Sequence, residues 1–202
     1  PQKVQPLEFG VDTDIFALNR TLSSETRTAY KIPHEAVVVM QTGKLSKEKG
    51  TGVLSEAMLQ PMLSNPNLWL VLVGGGNPAY LSQCLEPYIN HDISNRVVMI
   101  PFVPFTELPS VITMADICVY PGESSLSCIE ASACGIPVII TDLPWGQARS
   151  SIGIGICYKT GNVSDLQSNL INLMFEENTP GANLKFPNPM PQIEIDCEYT
   201  EF

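Results

Sequence analysis

Basic residues are scarce in this chain. Its 202 residues include 11 Lys and Arg against 21 Asp and Glu, which gives a formal net charge of −10 at pH 7. A surface of this charge repels the phosphate backbone of nucleic acids. One small anion can still bind where a local group of donors outweighs the overall field. The composition therefore argues against general nucleic-acid binding and makes any local cluster of cations informative.

Paired cysteines and clustered histidines are absent from the sequence. The six cysteines include no C-x-x-C pair, and His34 and His91 stand alone. Four of the cysteines lie in or beside apolar stretches, where a free thiol behaves as a small hydrophobe. We therefore predict no zinc site and no disulfide framework, and we expect a reducing, cytoplasmic setting.

Long apolar runs are also missing. The best of them, such as residues 68–73, have the length of a strand and not the roughly 20 residues of a membrane-spanning helix. The first residues, PQKVQP, lack the basic and apolar regions of a signal peptide. We expect neither a membrane span nor a signal peptide, and we expect the initial proline to lie inside a longer protein.

Short β-rich runs alternate with helical patterns in the middle of the chain. Strands are predicted at 36–42, 68–73, 96–100, 116–120, 136–141 and 155–158, and helices at 50–63, 78–89, 106–114, 125–134 and 163–176. Repeated β-α units with short connections predict an α/β fold with a doubly wound parallel sheet of Rossmann-like type. Right-handed crossovers place the loops after the strands on one edge of the sheet, where ligands bind in such folds.

The two ends of the chain differ from this middle. Residues 1–35 are interpreted as a linker-type segment that packs on the domain, with a candidate helix at 23–30, and residues 36–178 as the Rossmann-like domain. Residues 179–202 combine four prolines with an alternating acidic pattern. We expect an extended acidic tail there, in preference to a short edge strand at 193–197.

A local concentration of cations follows the first predicted strand. Residues 43–50 read GKLSKEKG and open the next helix, with Lys44 and Lys49 flanking the turn and Lys47 nearby. Glycine lets a backbone approach a ligand closely, and the amides at a helix start carry partial positive charge. A charged hydrogen bond contributes about 1.5–3 kcal/mol, so two lysines and two amides could hold a pyrophosphate. A solvated lysine turn explains the spacing equally well.

Two acidic residues flank a second helix start, within the segment YPGESSLSCIEASACGIPVI at 120–139. Glu123 is expected in the loop and Glu130 on the helix, about a turn and a half in. Carboxylates accept paired hydrogen bonds from vicinal hydroxyls, so this pair suits a ribose or a hexose. Ser124 and Ser125 offer backbone amides to phosphate at the helix start. Taken singly, Glu123 is better explained as a favourable charge near a helix N-terminus, and Glu130 as an exposed acid on the helix.

Together these segments resemble the C-terminal domain of GT-B fold glycosyltransferases, in particular the retaining family 4. The resemblance runs from about residue 9 to about residue 177. Its segments are FGVDTDIF at 9–16, GKL and EKG within 43–50, LVGGG at 72–76, PFVP, EL and ADI within 101–117, and EASACGIPVI at 130–139. Five matches in the right order and spacing make the resemblance specific, while the glycines at 74–76 taken alone indicate only a turn and do not form the G-x-G-x-x-G of a nicotinamide site.

The resemblance implies roles for particular residues. Lys44 and Lys49 match the family's phosphate-binding arginine and lysine, and Glu130 matches the second glutamate of its E-x7-E motif, which holds the ribose. Phe102 and Val103 match the segment that borders the base. The remaining residues expected to approach the nucleotide are Gly43, Gly75, Ser124 and Ser125.

Three positions depart from the family pattern. Gly122 falls where the first motif glutamate belongs, so Glu123 takes over the sugar contact or the contact is lost. Pro101 replaces a usual glycine, and residues 142–146 lack the family's G-G-x-x-E run. Recognition of the donor sugar is therefore the part of the function that the resemblance supports least.

The resemblance implies a metal-independent glycosyltransferase without a cofactor, whose donor is a UDP-, GDP- or ADP-sugar. Lys44, Lys49 and Glu123 would act at the reacting sugar phosphate, and an N-terminal domain would hold the acceptor, so this chain alone is expected to transfer sugar slowly or not at all. Contact of the full protein with a membrane surface is left open. The alternatives are a sugar-nucleotide epimerase on the same fold and a non-catalytic binding module. A receiver-like signalling domain is a third, more distant alternative, because the sequence lacks the acidic cluster that such domains carry at their strand ends.

Overall fold

The computed structural model describes residues 10–17 and 19–175. Six strands form one sheet: β1 (Val37–Thr42), β2 (Leu68–Val73), β3 (Val97–Ile100), β4 (Ile117–Tyr120), β5 (Val138–Thr141) and β6 (Ile156–Tyr158). Seven helices lie in the described ranges: α1 (Arg20–Ala29), α2 (Thr51–Ser64), α3 (Pro78–Asn90), α4 (Leu108–Ile112), α5 (Ser127–Ala133), α6 (Pro144–Ser151) and α7 (Val163–Phe175). A 3₁₀ turn precedes β3 at Ser94–Arg96.

The strands are all parallel, in the order β3-β2-β1-β4-β5-β6. The chain winds outwards from β1 to β3, then returns to pair β4 with β1 and winds outwards in the other direction. This order confirms the predicted doubly wound, Rossmann-like sheet. Its switch point lies between β1 and β4, where the loops that follow the two strands diverge and leave a crevice.

Alternation along the strands produces a core on each face of the sheet. Val38 and Met40 pack into one cluster with α4 and α5, whereas Val39 packs into the other with α2 and α7. Successive side chains of a strand point to opposite faces, so a strand buried on both faces must be apolar throughout. The run LWLVLV of β2 meets this condition.

The predicted strands are all present, with bounds that shift by at most two residues, while some helices differ. The helix predicted at 106–114 is limited to Leu108–Ile112, and a turn precedes it in which the amides of Glu107 and Leu108 donate to the carbonyl of Pro104. The helix predicted at 125–134 begins only at Ser127, and the candidate helix at 23–30 is longer, at Arg20–Ala29. Helix α6 was not predicted, since its sequence PWGQARSS has little helical periodicity.

Arg27 joins α1 to the amino-terminal edge of the sheet. Its guanidinium is buried and donates to the carbonyls of Met114, His34 and Ala36 and to the carboxylate of Asp116 at 2.9 Å. The same carboxylate oxygen accepts the amide of Val38 in β1. These contacts fix α1 against the domain. The predicted domain boundaries remain a prediction, and the predicted tail at 179–202 lies outside the described residues.

Candidate functional site

A small cleft lies at the switch point between β1 and β4. It is lined by Gln41, Thr42, Lys44, Lys49, Tyr120, Glu123 and Ser125. The first two residues end β1, Tyr120 ends β4, and the others belong to the turn and the loop that follow these strands. Four of the residues predicted from the sequence, Lys44, Lys49, Glu123 and Ser125, therefore meet in one cleft.

The lysine turn that follows β1 is closed by its own hydrogen bonds. The amide of Gly50 donates to the carbonyl of Lys47 at 3.0 Å, and the amide of Lys49 donates to the hydroxyl of Ser46 at 3.3 Å. Gly50 has φ 72°, a left-handed conformation that glycine adopts without strain, and it caps α2. A hydrogen bond from Ser46, together with the charges of Lys44 and Lys47, lowers the pKa of the exposed Glu48 carboxyl. The turn thus presents its cations on a fixed backbone.

Lys49 reaches from this turn to the loop that follows β4. Its ammonium donates to the carbonyl of Glu123 at 3.4 Å and to the carbonyl of Ser124. Its own carbonyl accepts the side-chain amide of Gln41 at 2.9 Å. Lys49 therefore connects the end of β1 with the loop at 121–126 and is held at the cleft from both sides.

Gly122 explains how the shortened loop fits. A Cβ at this position would lie 2.1 Å from the carbonyl oxygen of Glu48 and 2.5 Å from the carbonyl carbon of Lys49. The adjacent amide of Glu123 donates to the same Glu48 oxygen at 2.8 Å. The position that the resemblance matches to the first motif glutamate thus has no room for a side chain. The next residue, Glu123, is exposed and lines the cleft.

The loop at 121–126 is held by further donors on its other side. The hydroxyl of Tyr158 donates to the carbonyl of Pro121 at 2.5 Å. Arg149 of α6 donates to the carbonyl of Ser125 at 2.6 Å and contacts the sulfur of Cys128 at 3.0 Å, while its guanidinium lies 4.9 Å from the centre of the Trp145 ring. Sequence reasoning missed Arg149 because it missed α6. The scarcity of basic residues was a usable signal, since each of the 11 Lys and Arg residues is a candidate for anion binding or for holding a loop.

Glu130 lies in the first turn of α5, nearer the helix start than predicted. It is half-buried, and this burial raises the pKa of its carboxyl, which a hydrogen bond with Ser127 partly opposes. Its Oε2 is buried and has no hydrogen-bond partner among the described residues. Gly43 lies close by, because a Cβ there would be 3.7 Å from the Ser127 hydroxyl and 4.0 Å from that of Ser125. Ser124 is exposed and takes part through its carbonyl.

The floor of the cleft is polar although it is buried. Gln41, Thr42 and Tyr120 are 1%, 3% and 2% exposed. The hydroxyls of Thr42 and Tyr120 lie 2.9 Å apart and share a hydrogen bond. Burial raises the pKa of the Tyr120 hydroxyl well above its ordinary value, so this group stays protonated.

Six predicted residues do not line the cleft: Gly43, Ser124 and Glu130, described above, and Gly75, Phe102 and Val103. Gly75 follows β2, with open space around it, and its carbonyl accepts the amide of Leu45 at 2.9 Å. Phe102 and Val103 follow β3, two strands away from β1, which corresponds to about 10 Å at the usual strand spacing. Phe102 is 83% exposed and Val103 is half-buried. They share the carboxyl edge of the sheet with the cleft without joining it.

The described part of the chain contains no group of three or more His, Cys, Asp or Glu side chains that could hold a metal ion. Within the same residues, no helix combines the length and apolar character needed to cross a membrane. Five cysteines are described, and each is a free thiol: Cys84, Cys118, Cys128, Cys134 and Cys157.

The parallel doubly wound sheet and a cleft at its switch point define this protein as a Rossmann-like α/β domain. Comparison with known families identifies it further. The sequence model of the family described as Glycosyl transferases group 1 matches residues 23–182. The match covers more than half of the chain, and the chain belongs to this family.

Two curated relatives illustrate the similarity. The GDP-mannose-dependent alpha-(1-6)-phosphatidylinositol monomannoside mannosyltransferase of Mycolicibacterium smegmatis is 30% identical in an alignment of 172 residues that covers 80% of this chain and 43% of the relative. The D-inositol 3-phosphate glycosyltransferase of Segniliparus rotundus is 30% identical in an alignment of 144 residues that covers 69% of this chain and 32% of the relative. The chain therefore spans less than half the length of both relatives.

Solved structures share the fold. Alr3699/HepE of Anabaena in complex with UDP has a TM-score of 0.73 at 21% identity, over 86% of this chain and 48% of that one. The C-terminal domain of the group 1 glycosyl transferase LpcC of Francisella tularensis has a TM-score of 0.70 at 22% identity, over 81% of this chain and 87% of that one. Both structures confirm the architecture of the sheet and its helices.

Proposed function

We propose that this chain is the C-terminal, donor-binding region of a retaining family 4 glycosyltransferase of GT-B fold, which binds a nucleoside diphosphate sugar. The observation that carries the proposal is the meeting of Lys44 and Lys49 with Glu123 and Ser125 in one cleft at the switch point. A pyrophosphate needs fixed cations and backbone donors, and ligands of doubly wound sheets bind at this place.

The chemistry proposed for the cleft is stabilisation of a leaving group. Negative charge builds up on the diphosphate as the bond between sugar and phosphate breaks. Ammonium groups fixed in place before the reaction stabilise that charge without reorganisation. Lys44 and Lys49 would act in this way, Glu123 would orient the sugar, and Glu130 would accept hydrogen bonds from the ribose hydroxyls. No metal ion or cofactor enters this mechanism.

The ammonium of Lys49 already contacts two loop carbonyls, and this limits the number of donors that it can offer to a ligand. Its ammonium carries three donors, and two carbonyls of the loop at 121–126 are within reach. One donor is left for a diphosphate oxygen. We therefore expect Lys49 to keep the loop in place and to bind the ligand at the same time, whereas Lys44, which is exposed, would bind the ligand alone.

Partners and location remain part of the proposal. Both curated relatives are more than twice as long as the segment that they share with this chain, which supports a separate acceptor-binding domain on the N-terminal side in the complete protein. The donor base is left among uracil, guanine and adenine, since one relative is named as GDP-mannose-dependent and one structural neighbour is bound to UDP. The unpaired cysteines favour the cytoplasm, with membrane contact of the full protein left open.

A product assay tests the proposed function. The complete protein and this chain alone would each be incubated with a radiolabelled nucleoside diphosphate hexose and an extract of candidate acceptors. We expect labelled acceptor from the complete protein and little or none from the chain alone. An epimerised donor would show that the epimerase alternative is correct, and an unchanged donor with both proteins would favour the non-catalytic module.

A further inference from the structure

The lysine turn continues the pairing of β1 with β2 beyond the ends of the two strands. The amide of Gly43 donates to the carbonyl of Val73 at 2.9 Å, and the amide of Leu45 donates to the carbonyl of Gly75 at 2.9 Å. Leu45 is also fully buried in the core on one face of the sheet. Both chain neighbours of Lys44 are therefore anchored to the end of β2 and the segment that follows it.

Two glycines let the backbone after β2 and the lysine turn come together. A Cβ on Gly74 would lie 2.0 Å from the carbonyl oxygen of Gly43. A Cβ on Gly76 would lie 2.0 Å from the carbonyl oxygen of Leu45, with which Gly76 forms a parallel bridge. A real Cβ does not come within about 3 Å of such an atom, so two backbones can approach this closely only at glycine. Each neighbour of Lys44 thus has its carbonyl directly against a glycine.

Lys44 stands between these two contacts, and it lines the cleft. Its backbone can move only if a neighbouring carbonyl leaves its glycine or a neighbouring amide leaves its hydrogen bond. All of these contacts are made within the protein itself, so the turn does not need a ligand to hold its shape. A cation that is fixed in advance binds an anion without the further cost of ordering the chain.

We infer that Gly74 and Gly76 are positioning residues for the proposed donor site, and that they act by fixing the backbone of Lys44 beside the cleft. The inference rests on the proposed function, in which Lys44 binds the diphosphate. It gives the glycines that follow β2 a role other than contact with the ligand. Lys49 is held separately, by the loop at 121–126 that follows β4. Because β2 and β4 flank β1, the two cations are positioned from opposite sides of that strand.

Gly76→Ala tests this inference, because it adds one methyl group against the Leu45 carbonyl and leaves every charge in place. Gly155→Ala is the matched control, since a Cβ there would lie 2.6 Å from another backbone atom, the carbonyl oxygen of Val138. That contact lies where β5 begins, at the edge of the sheet opposite the cleft. Denaturant unfolding measures the stability of each variant, and calorimetry measures its affinity for the one of UDP, GDP and ADP that the wild type binds best.

We expect Gly76→Ala to bind the diphosphate about tenfold more weakly than the wild type, because a backbone shift of about 1 Å displaces the ammonium of Lys44. Gly155→Ala should also lose stability, yet bind within about twofold of the wild type. In a Lys44→Ala background, Gly76→Ala should weaken binding by no more than about twofold. In a Lys49→Ala background its full effect should remain.

Three results would overturn the inference. They are an affinity of Gly76→Ala within about twofold of the wild type, an equal loss of affinity in Gly155→Ala, and an equal effect of Gly76→Ala in chains with and without Lys44. Absence of binding by the wild type would instead contradict the proposed function itself.

Amide hydrogen exchange of the wild-type chain is a second test, which holds even if Gly76→Ala does not fold. We expect the amides of Gly43 and Leu45 to be protected in the chain without diphosphate, since their acceptors belong to the protein. Exchange of these two amides at the rate of an unstructured chain, with protection only after diphosphate is added, would show that the ligand orders the turn and would overturn the inference.

Discussion

Glu130 illustrates at the scale of one residue how a group proposed to bind the ligand can reduce stability. Its carboxyl is half-buried at the start of α5, and Oε2 has no partner in the described structure. Burial raises the pKa of this group above its ordinary value of 4.5. The folded protein therefore holds the Glu130 proton to a higher pH than the unfolded chain does. It follows that the free energy of unfolding decreases as the pH rises from about 4.5 through the folded-state pKa.

We predict that Glu130→Gln raises the free energy of unfolding at neutral pH and flattens its decrease above pH 4.5, because no charge is then buried. The same variant should bind a nucleoside diphosphate more weakly, since a carboxylate accepts stronger hydrogen bonds from ribose than an amide does. Denaturant unfolding between pH 5 and pH 8, with calorimetric titration, measures both effects. Glu86→Gln, at an exposed position of α3, is the control and should alter neither. A variant less stable than the wild type at pH 7 would contradict the account.

At the scale of elements, the cleft depends on how the lysine turn at 43–50 meets the loop at 121–126. The two segments touch through backbone atoms, since the carbonyl of Glu48 accepts the amide of Glu123 at 2.8 Å and lies against Gly122. Only a residue without Cβ permits this approach. The contact sets the position of Lys49 relative to the loop carbonyls that its ammonium binds.

Gly122→Ala should therefore separate the turn from the loop. We expect the free energy of unfolding to fall by about 1–3 kcal/mol, because the new methyl group meets backbone atoms that cannot rotate away. Gly75→Ala, where a Cβ meets nothing within 4 Å, should change stability by less than about 0.5 kcal/mol. Thermal and denaturant unfolding of both variants provides the comparison. Equal stability of the two variants would show that the turn and the loop do not pack as described.

The elements also show how far sequence reasoning reaches. Apolar runs such as β2, together with the spacing of turns, were sufficient to predict the parallel sheet, because a strand buried on both faces must be apolar throughout. Helix α6 and Arg149 were missed, since Pro144–Ser151 has little periodicity of its own and is held through Arg149, which contacts Ser125 and Cys128. The meeting of Lys49 with Ser124 depends on two loops 75 positions apart. The polar floor could not be predicted either, because Gln41 and Tyr120 occur at the ends of apolar strand sequences and no motif identifies them as cleft residues.

At the scale of the whole molecule, a net charge of −10 opposes the binding of any anion. The account therefore requires that the local field at the switch point exceeds the global one. Charges separated by more than a Debye length of about 10 Å are largely screened at ordinary salt, whereas the lysines of the cleft would lie beside the proposed ligand. The acidic surface then has little influence on affinity, and the two lysines have a large one.

The most direct measurement is calorimetric titration of UDP, GDP and ADP, in the presence of EDTA, into the wild-type chain and a Lys44→Ala/Lys49→Ala double variant. Lys47→Ala is the matched control, since this lysine belongs to the same turn but does not line the cleft. We predict that at least one diphosphate binds without metal, that the double variant loses affinity by at least about 100-fold, and that Lys47→Ala stays within about threefold of the wild type. Absence of binding by the wild type, or equal binding by the double variant, would contradict the account.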